Sequence, residues 1–518
     1  MATDLLILLP LLAIPIVLLL LKSRLSASRG TGAAGEKLPP GPWALPIIGH
    51  LHHLIGRGEL PHRRMRDLAR QHGPLMLLRF GEVQTVVASS AEAAREILKT
   101  HDLAFATRPM GPVAQLWYQT SGGGVAYAPY GDGWRQLRKI CTVELLSSRR
   151  VASFRPIRHD EVGRILRALA ADADAKRPVN LTRLMATYTV NATVRAIIGS
   201  REFKEREAYV RMLKEVFGIV PGLGLPDLFP SSRLAMRVSR MPAQLARTRG
   251  NMHRLMDVII KEHQEFRPAA GGGGGEEEED LVDVLLRLQK EADFQHPLTA
   301  ENVKFVMLDM FGAGSETSSS SLTWTMAELM RNPRIRHKLQ EEIRQEFAND
   351  GRVTEEKLRN LTYLPMVIKE TLRLHPPGTL LVPHQCQTPC QVLGYDVPVG
   401  STVLVNAWAI GRDPVSWGDT AEEFSPERFE RCARDFKGAD YEFIPFGAGR
   451  RICPGISMAL AHLELVLATL LFHFDFELPA GMSPEEVDLT EKSGVSTVLK
   501  TDLLVVPVPR VPVPSPAD

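Results

Sequence analysis

The chain has 518 residues, 44% of them hydrophobic and 24% charged, which is ordinary globular composition. Its 62 basic and 60 acidic side chains leave a formal charge of +2, a balance that excludes the basic footprint of a nucleic-acid binder. Five cysteines at wide spacings exclude a disulfide scaffold and indicate a reducing compartment; Cys386 and Cys390 stand four apart with no second Cys/His pair to complete a zinc site.

Residues 5–21 are uninterrupted apolar sequence. As a helix they would reach about 26 Å, enough for a thin bilayer, and membrane helices tolerate Pro10 and Pro15. A cleaved signal peptide would need positive charge ahead of the run. Asp4 is the only charge there, and Lys22, Arg24 and Arg29 follow instead. The positive-inside bias leaves the body of the protein cytosolic. Residues 1–24 therefore read as a membrane anchor. Residues 25–46 read as a linker ending in a stiff segment, Leu38-Pro39-Pro40-Gly41-Pro42-Trp43-Ala44-Leu45-Pro46. Residues 47–510 read as one large domain and 511–518 as a fraying tail.

Within that domain, residues 85–88 and 402–405 are short β-branched runs, whereas 301–348 and 459–472 carry helical periodicity. The expected fold is mainly α with small β-sheets. Residues 269–280 contain GGGGGEEEED, which cannot bury a core and reads as a solvated loop between two helices.

Val306, Met310, Ala313 and Thr317 recur at helical spacing and share one face. Ala313 and Gly314 remove bulk where a diatomic ligand needs room, and an opened hydrogen bond at Gly314 could hold water. Glu316 and Thr317 then form an acid–alcohol pair. The carboxylate can feed protons and the hydroxyl can hold an ordered water. The bland alternative is a surface Glu beside a Thr bonded back to its own turn. Glu370 and Arg373 lie three apart on one helix face. Residues 446–455 then have the spacing F-x-x-G-x-R-x-C-x-G. The Cys453 thiolate is a strong donor to haem iron. Arg451 can pair with a haem propionate, Phe446 can pack beside the sulfur, and Gly449 and Gly455 permit tight turns close to a flat ring.

Residues 446–455 resemble the haem-binding loop of cytochrome P-450 monooxygenases, and 443–455 are similar to the plant A-type microsomal group. The resemblance covers nearly the whole chain. It implies the P-450 fold, one large catalytic domain behind an N-terminal transmembrane helix, with haem b held by Cys453 as the iron ligand. The implied reaction inserts one atom of O2 into a lipophilic small molecule and reduces the other to water. Electrons would come from NADPH through NADPH–cytochrome P-450 reductase, with cytochrome b5 a further candidate partner. No Gly-x-Gly-x-x-Gly fingerprint is evident, so the chain itself is not expected to bind NADPH. Arg135, Arg138, Lys139 and Arg450 could form a basic docking face for that reductase, or be scattered solvated charges. The implied location is the endoplasmic reticulum membrane, single-pass, in contact with lipid.

By the same resemblance, Glu316 and Thr317 belong to the oxygen-activating segment, and Trp134 and Arg138 are donors to a propionate. Glu370, Arg373 and Arg428 form a buried structural lock. Phe305, Met310, Ala313, Leu380, Val382 and Val498 line the substrate pocket. Such apolar walls favour terpenoid-type specialised metabolites, with phenylpropanoids, indoles and fatty acids left open. One position departs from the family: His384 stands where an Arg commonly reaches a propionate. It is expected to be a cationic contact of raised pKa, or else a neutral donor. A reductase-independent haem-thiolate isomerase or dehydratase, or a non-catalytic haem carrier, would not need the Glu316–Thr317 pair.

Overall fold

The computed structural model describes residues 35–54, 59–118, 123–175, 177–200, 206–219, 224–266, 279–291, 295–492, 494 and 496–513. The expected anchor, the start of the linker, most of the 269–280 loop and the end of the tail lie outside the described residues.

Helices dominate, and the longest organises the rest. This central helix, Ala300–Arg331, starts at a reciprocal cap in which Thr299 and Asn302 each bond the other's backbone N–H. Its two halves belong to different cores. Val303, Val306 and Phe311 pack with Val113, Leu137, Met256 and Val282 in one cluster. Leu322, Trp324, Met326 and Met330 pack with Leu181, Leu364, Val367, Leu465 and Leu470 in the larger one. Residues 312–321, which include Ala313, Glu316 and Thr317, fall at the junction. A helix needed by two cores is buried on most sides, by small hydroxyl residues as well as apolar ones, which explains why its periodicity is weaker than that of a surface helix.

The two β-branched runs, more than 300 residues apart in sequence, are neighbours in one sheet. Val83–Ala88 pairs antiparallel with Leu75–Phe80 and parallel with Thr402–Val405, in register from Thr85↔Thr402 to Ala88↔Val405. The strand His384–Gln385 completes this four-stranded sheet against Thr402 and Val403. Of the described helices, Ile456–His473 alone is long and apolar enough to cross a membrane, but it is mostly buried as the spine of the larger core.

Candidate functional site

The loop carrying Cys453 is built by its glycines. Gly447 and Gly449 take φ of 70° and 67°, a region favouring glycine. A Cβ at Gly449 would stand 2.1 Å from the Leu98 carbonyl oxygen, so its need for glycine comes from the neighbouring backbone. The Cys453 N–H donates to Phe446 O at 2.9 Å, closing the loop, and the helix Ile456–His473 follows at once. Phe446 stands edge-on to Phe436, with centroids 5.3 Å apart. Cys453 is half-buried in a crowded setting. Burial pushes its thiol pKa up, while the Gly455 N–H and the Arg138 charge oppose the rise.

Three arginines surround this loop. Arg451 donates to Ala106 O at 2.7 Å, Val125 O at 3.2 Å and Ala128 O at 2.6 Å, and its guanidinium lies 4.1 Å from the Trp134 ring centre. Arg138 donates to Ile452 O at 2.5 Å, one residue before the cysteine. The buried Arg108 donates to Val382 O at 2.7 Å and Pro383 O at 2.9 Å. Burial, then mutual repulsion, lowers Arg451 to about 9. Burial is also the main force lowering Arg108, to about 10, with Arg138 adding repulsion. None of the three meets a carboxylate at ion-pair distance among the described residues. Buried cations without counter-ions are costly, and a dianionic ligand would relieve that cost.

Arg108 was not recognised as a ligand-holding residue in the sequence. His384 lies beside these arginines. Its ring is buried, Nδ1 lies 2.7 Å from Phe105 O, and its pKa falls to about 3. Burial is the main cause, with Arg108 next, which favours the neutral donor of the two expected roles. The Trp134 indole N–H is directed at Val125 O, 3.0 Å away.

The central helix passes this loop without interruption. The expected opening at Gly314 is absent. A Cβ there would stand 3.3 Å from Thr193 Cγ2, so the glycine serves close helix packing. Thr317 Oγ1 donates to Ala313 O in its own helix. Glu316 Oε1 accepts the Ser496 N–H at 3.2 Å, and burial raises its pKa. Ala313 is exposed although Phe311, Gly312 and Ser315 around it are buried. Val382 is 42% exposed, and Met310, Leu380 and Val498 are half-buried. Phe305 corrects the pocket assignment. It is 0% exposed, packed on Tyr118 at 5.2 Å, and offers no surface to a ligand.

Behind the loop, Glu370, Arg373 and Arg428 come together. Arg373 makes a two-pronged pair with Glu370 at 2.7 and 2.8 Å, and Arg428 reaches Glu370 Oε1 at 2.8 Å. Arg373 also donates to the carbonyls of Gly411, Ala421 and Glu423. Of the proposed basic face, Arg135 pairs with Asp132, Arg450 pairs with Asp102, and Arg138 is turned inward.

The thiol, the unpaired arginines and the open alanine face suit a flat, dianionic macrocycle bound through sulfur, and haem fits all three. The sequence matches the family model described as Cytochrome P450 over residues 39–505. Among curated relatives, premnaspirodiene oxygenase of Hyoscyamus muticus is 44% identical, the match covering 93% of this chain and 95% of that protein. The 5-epiaristolochene 1,3-dihydroxylase of Nicotiana tabacum is 44% identical over 93% and 95%. Dolabradiene monooxygenase of Zea mays is 45% identical over 91% and 92%. A zebra fish cytochrome P450 solved with abiraterone superposes with a TM-score of 0.72 at 26% identity, covering 87% of this chain and 99% of that one.

Proposed function

The chain belongs to the cytochrome P450 family and is a haem-dependent monooxygenase; we propose that it oxidises a terpenoid hydrocarbon at the endoplasmic reticulum membrane, with electrons from NADPH delivered by a separate reductase. The reading rests on the exposed Ala313 of the central helix, the half-buried Cys453 and arginines that meet no carboxylate among the described residues, the helix being joined through Asp309 to the 125–128 segment that Arg108 and Arg451 hold. The activities named for the premnaspirodiene, 5-epiaristolochene and dolabradiene relatives support a terpene scaffold.

Haem supplies the redox-active iron and the activation of O2. The residues of this chain do the rest. Cys453 provides the sulfur ligand, with the Gly455 N–H directed at it. Arg451, Arg108 and Arg138 neutralise the propionates, and Trp134 orders the Arg451 fork by stacking. His384 contributes as a neutral ring. Glu316, whose raised pKa keeps a proton within reach, acts as proton source, and Thr317 holds a water or the proton in transit by swinging its hydroxyl off Ala313 O. The apolar side chains of Ala313, Met310, Leu380, Val382 and Val498 exclude water and orient the hydrocarbon.

Membrane contact has its own support. Trp43, Ile47, Leu234 and Val238 are largely exposed. Their segments meet at one turn, where the Gly81 N–H donates to Ile48 O and the Glu82 N–H to Leu228 O. An apolar patch of this kind suits the lipid surface to which residues 1–24 would tether the domain.

The test is co-expression with a plant reductase and supply of premnaspirodiene, 5-epiaristolochene and dolabradiene. NADPH- and O2-dependent products heavier by oxygen are expected. Turnover of aromatic or fatty-acid substrates alone would overturn the terpenoid assignment, and conversion that needs neither O2 nor reductase would overturn the electron-transfer reading.

A further inference from the structure

Cys386 and Cys390 have no part in the chemistry above, yet their sulfurs lie 3.9 Å apart. Cys386 is fully buried. Its N–H donates to Ser401 O and its carbonyl accepts from the Gly400 N–H, so its backbone is held. Cys390 is half-exposed at the start of the strand Cys390–Val392, and Gln387, Thr388 and Pro389 between the two cysteines are exposed. No other two cysteine sulfurs approach within hydrogen-bonding range among the described residues. The arrangement thus has one sulfur partly open to solvent, one held behind it, and an exposed three-residue link.

We propose that Cys386 and Cys390 form a reversible dithiol–disulfide site whose oxidant is a small disulfide. The Cys390 thiolate attacks the small disulfide, breaking its S–S bond, forming a mixed disulfide and releasing one thiol. Cys386 then attacks the Cys390 sulfur, forming the Sγ–Sγ bond and expelling the second thiol. Each cysteine gives up one proton, the pair loses two electrons, and the small disulfide gains them. The first proton leaves Cys386 most readily, because the Cys390 S–H donates to its anion and is itself held more tightly; passing that proton to Cys386 frees the Cys390 thiolate for attack. A bond of about 2.05 Å requires the sulfurs to close by roughly 1.9 Å, so Cys390 has to move towards the held Cys386. The loop closed is short, so the entropic gain is small. In a reducing compartment the pair therefore stays open until the thiol pool is oxidised.

Closure acts on the haem pocket through the backbone. The Gln387 N–H donates to Ala104 O at 2.8 Å and the Gln385 N–H to Thr107 O at 2.9 Å. The segment so held includes Ala106, whose carbonyl takes Arg451 Nε, and leads into Arg108. Drawing Cys390 towards Cys386 pulls on Gln387 and loosens that side of the arginine cluster.

The experiment treats reduced, purified full-length holoenzyme with oxidised glutathione, blocks free thiols with N-ethylmaleimide and maps the peptides. The expected result is a Cys386–Cys390 cross-linked peptide, loss of two alkylatable thiols, recovery of both with dithiothreitol, and faster haem transfer to an apo-haem acceptor while oxidised. In Cys386→Ser, Cys390 should stop at the glutathione mixed disulfide. Wild-type Cys390 that also stops there, or stays fully alkylatable, would overturn the site. Haem transfer unchanged by complete oxidation would overturn its link to the pocket. Should Cys386→Ser fail to hold haem, Cys390→Ser decides, because loss of glutathione-dependent thiol blocking at Cys386 is expected there and persistence of it contradicts the proposed order of attack.

Discussion

Asp309 on the central helix and Ala126 on the neighbouring wall are joined by a hydrogen bond, Oδ2 accepting the Ala126 N–H at 3.0 Å. Asp309 lies one turn before Ala313, so the open face of the helix and the wall beside it are held in fixed relation. A second carboxylate pins the other end of the same stretch: Asp227 Oδ1 accepts the Val113 N–H at 3.1 Å.

Burial pushes Asp309 up to about 7, against the pull of the Ala126 and Val125 N–H groups, and Tyr118, Tyr127 and Cys141 face it. Its folded pKa is thus above the unfolded value of about 3.9. The fold binds the extra proton, so this contribution is fully present below about pH 4 and is lost as pH rises to about 7. Asp309→Asn should flatten the fall of Tm across that window. An unchanged Tm profile would show that Asp309 does not titrate there.

Gly124 has no room for a side chain, since a Cβ would stand 2.1 Å from Asp309 Oδ2. Gly124→Ala should displace the 125–127 wall, raising KM for the hydrocarbon several-fold with a normal carbon monoxide spectrum. Unaltered KM and product pattern would remove this wall from the pocket.

Thr317→Ala should leave haem content intact and raise the hydrogen peroxide released per NADPH consumed, and Glu316→Gln should slow turnover by ~10-fold or more. If both variants stay fully coupled and fast, Thr317 does no more than bond back to Ala313 O, as it does in the resting helix.

Glu370→Gln would strip the charge facing Arg373, which has 0% side-chain exposure. An unpaired buried cation costs about 3–5 kcal/mol. The expected outcome is little or no holoprotein by the reduced carbon monoxide spectrum. Cys453→Ser, by contrast, should yield folded protein that lacks the thiolate signature, and near-native circular dichroism separates the two.

His384, neutral in its buried setting, should leave haem transfer rates flat between about pH 6.5 and 8. Transfer that quickens with rising pH in wild type, but not in His384→Arg, would mean that a propionate restores the charge which burial removes.

Chemistry encoded in adjacent residues was legible from the chain alone. Residues 446–455 carry their own glycines, thiol and spacing, because a loop that wraps a ligand must be written contiguously. The mainly helical class followed from periodicity, and Glu370 with Arg373 from helix geometry. Proximity and burial were not legible, since they arise between segments distant in sequence. Arg108 matters only because the chain returns at Val382 and Pro383. Asp309 is an acid on an otherwise apolar helix face, a signal that was there to be seen, but its partner lies 183 residues away. The choice between the two roles of His384 was not legible because a residue's identity does not state its desolvation. The fold buries that ring beside Arg108 and Arg451, and desolvation together with two neighbouring cations pushes its pKa down.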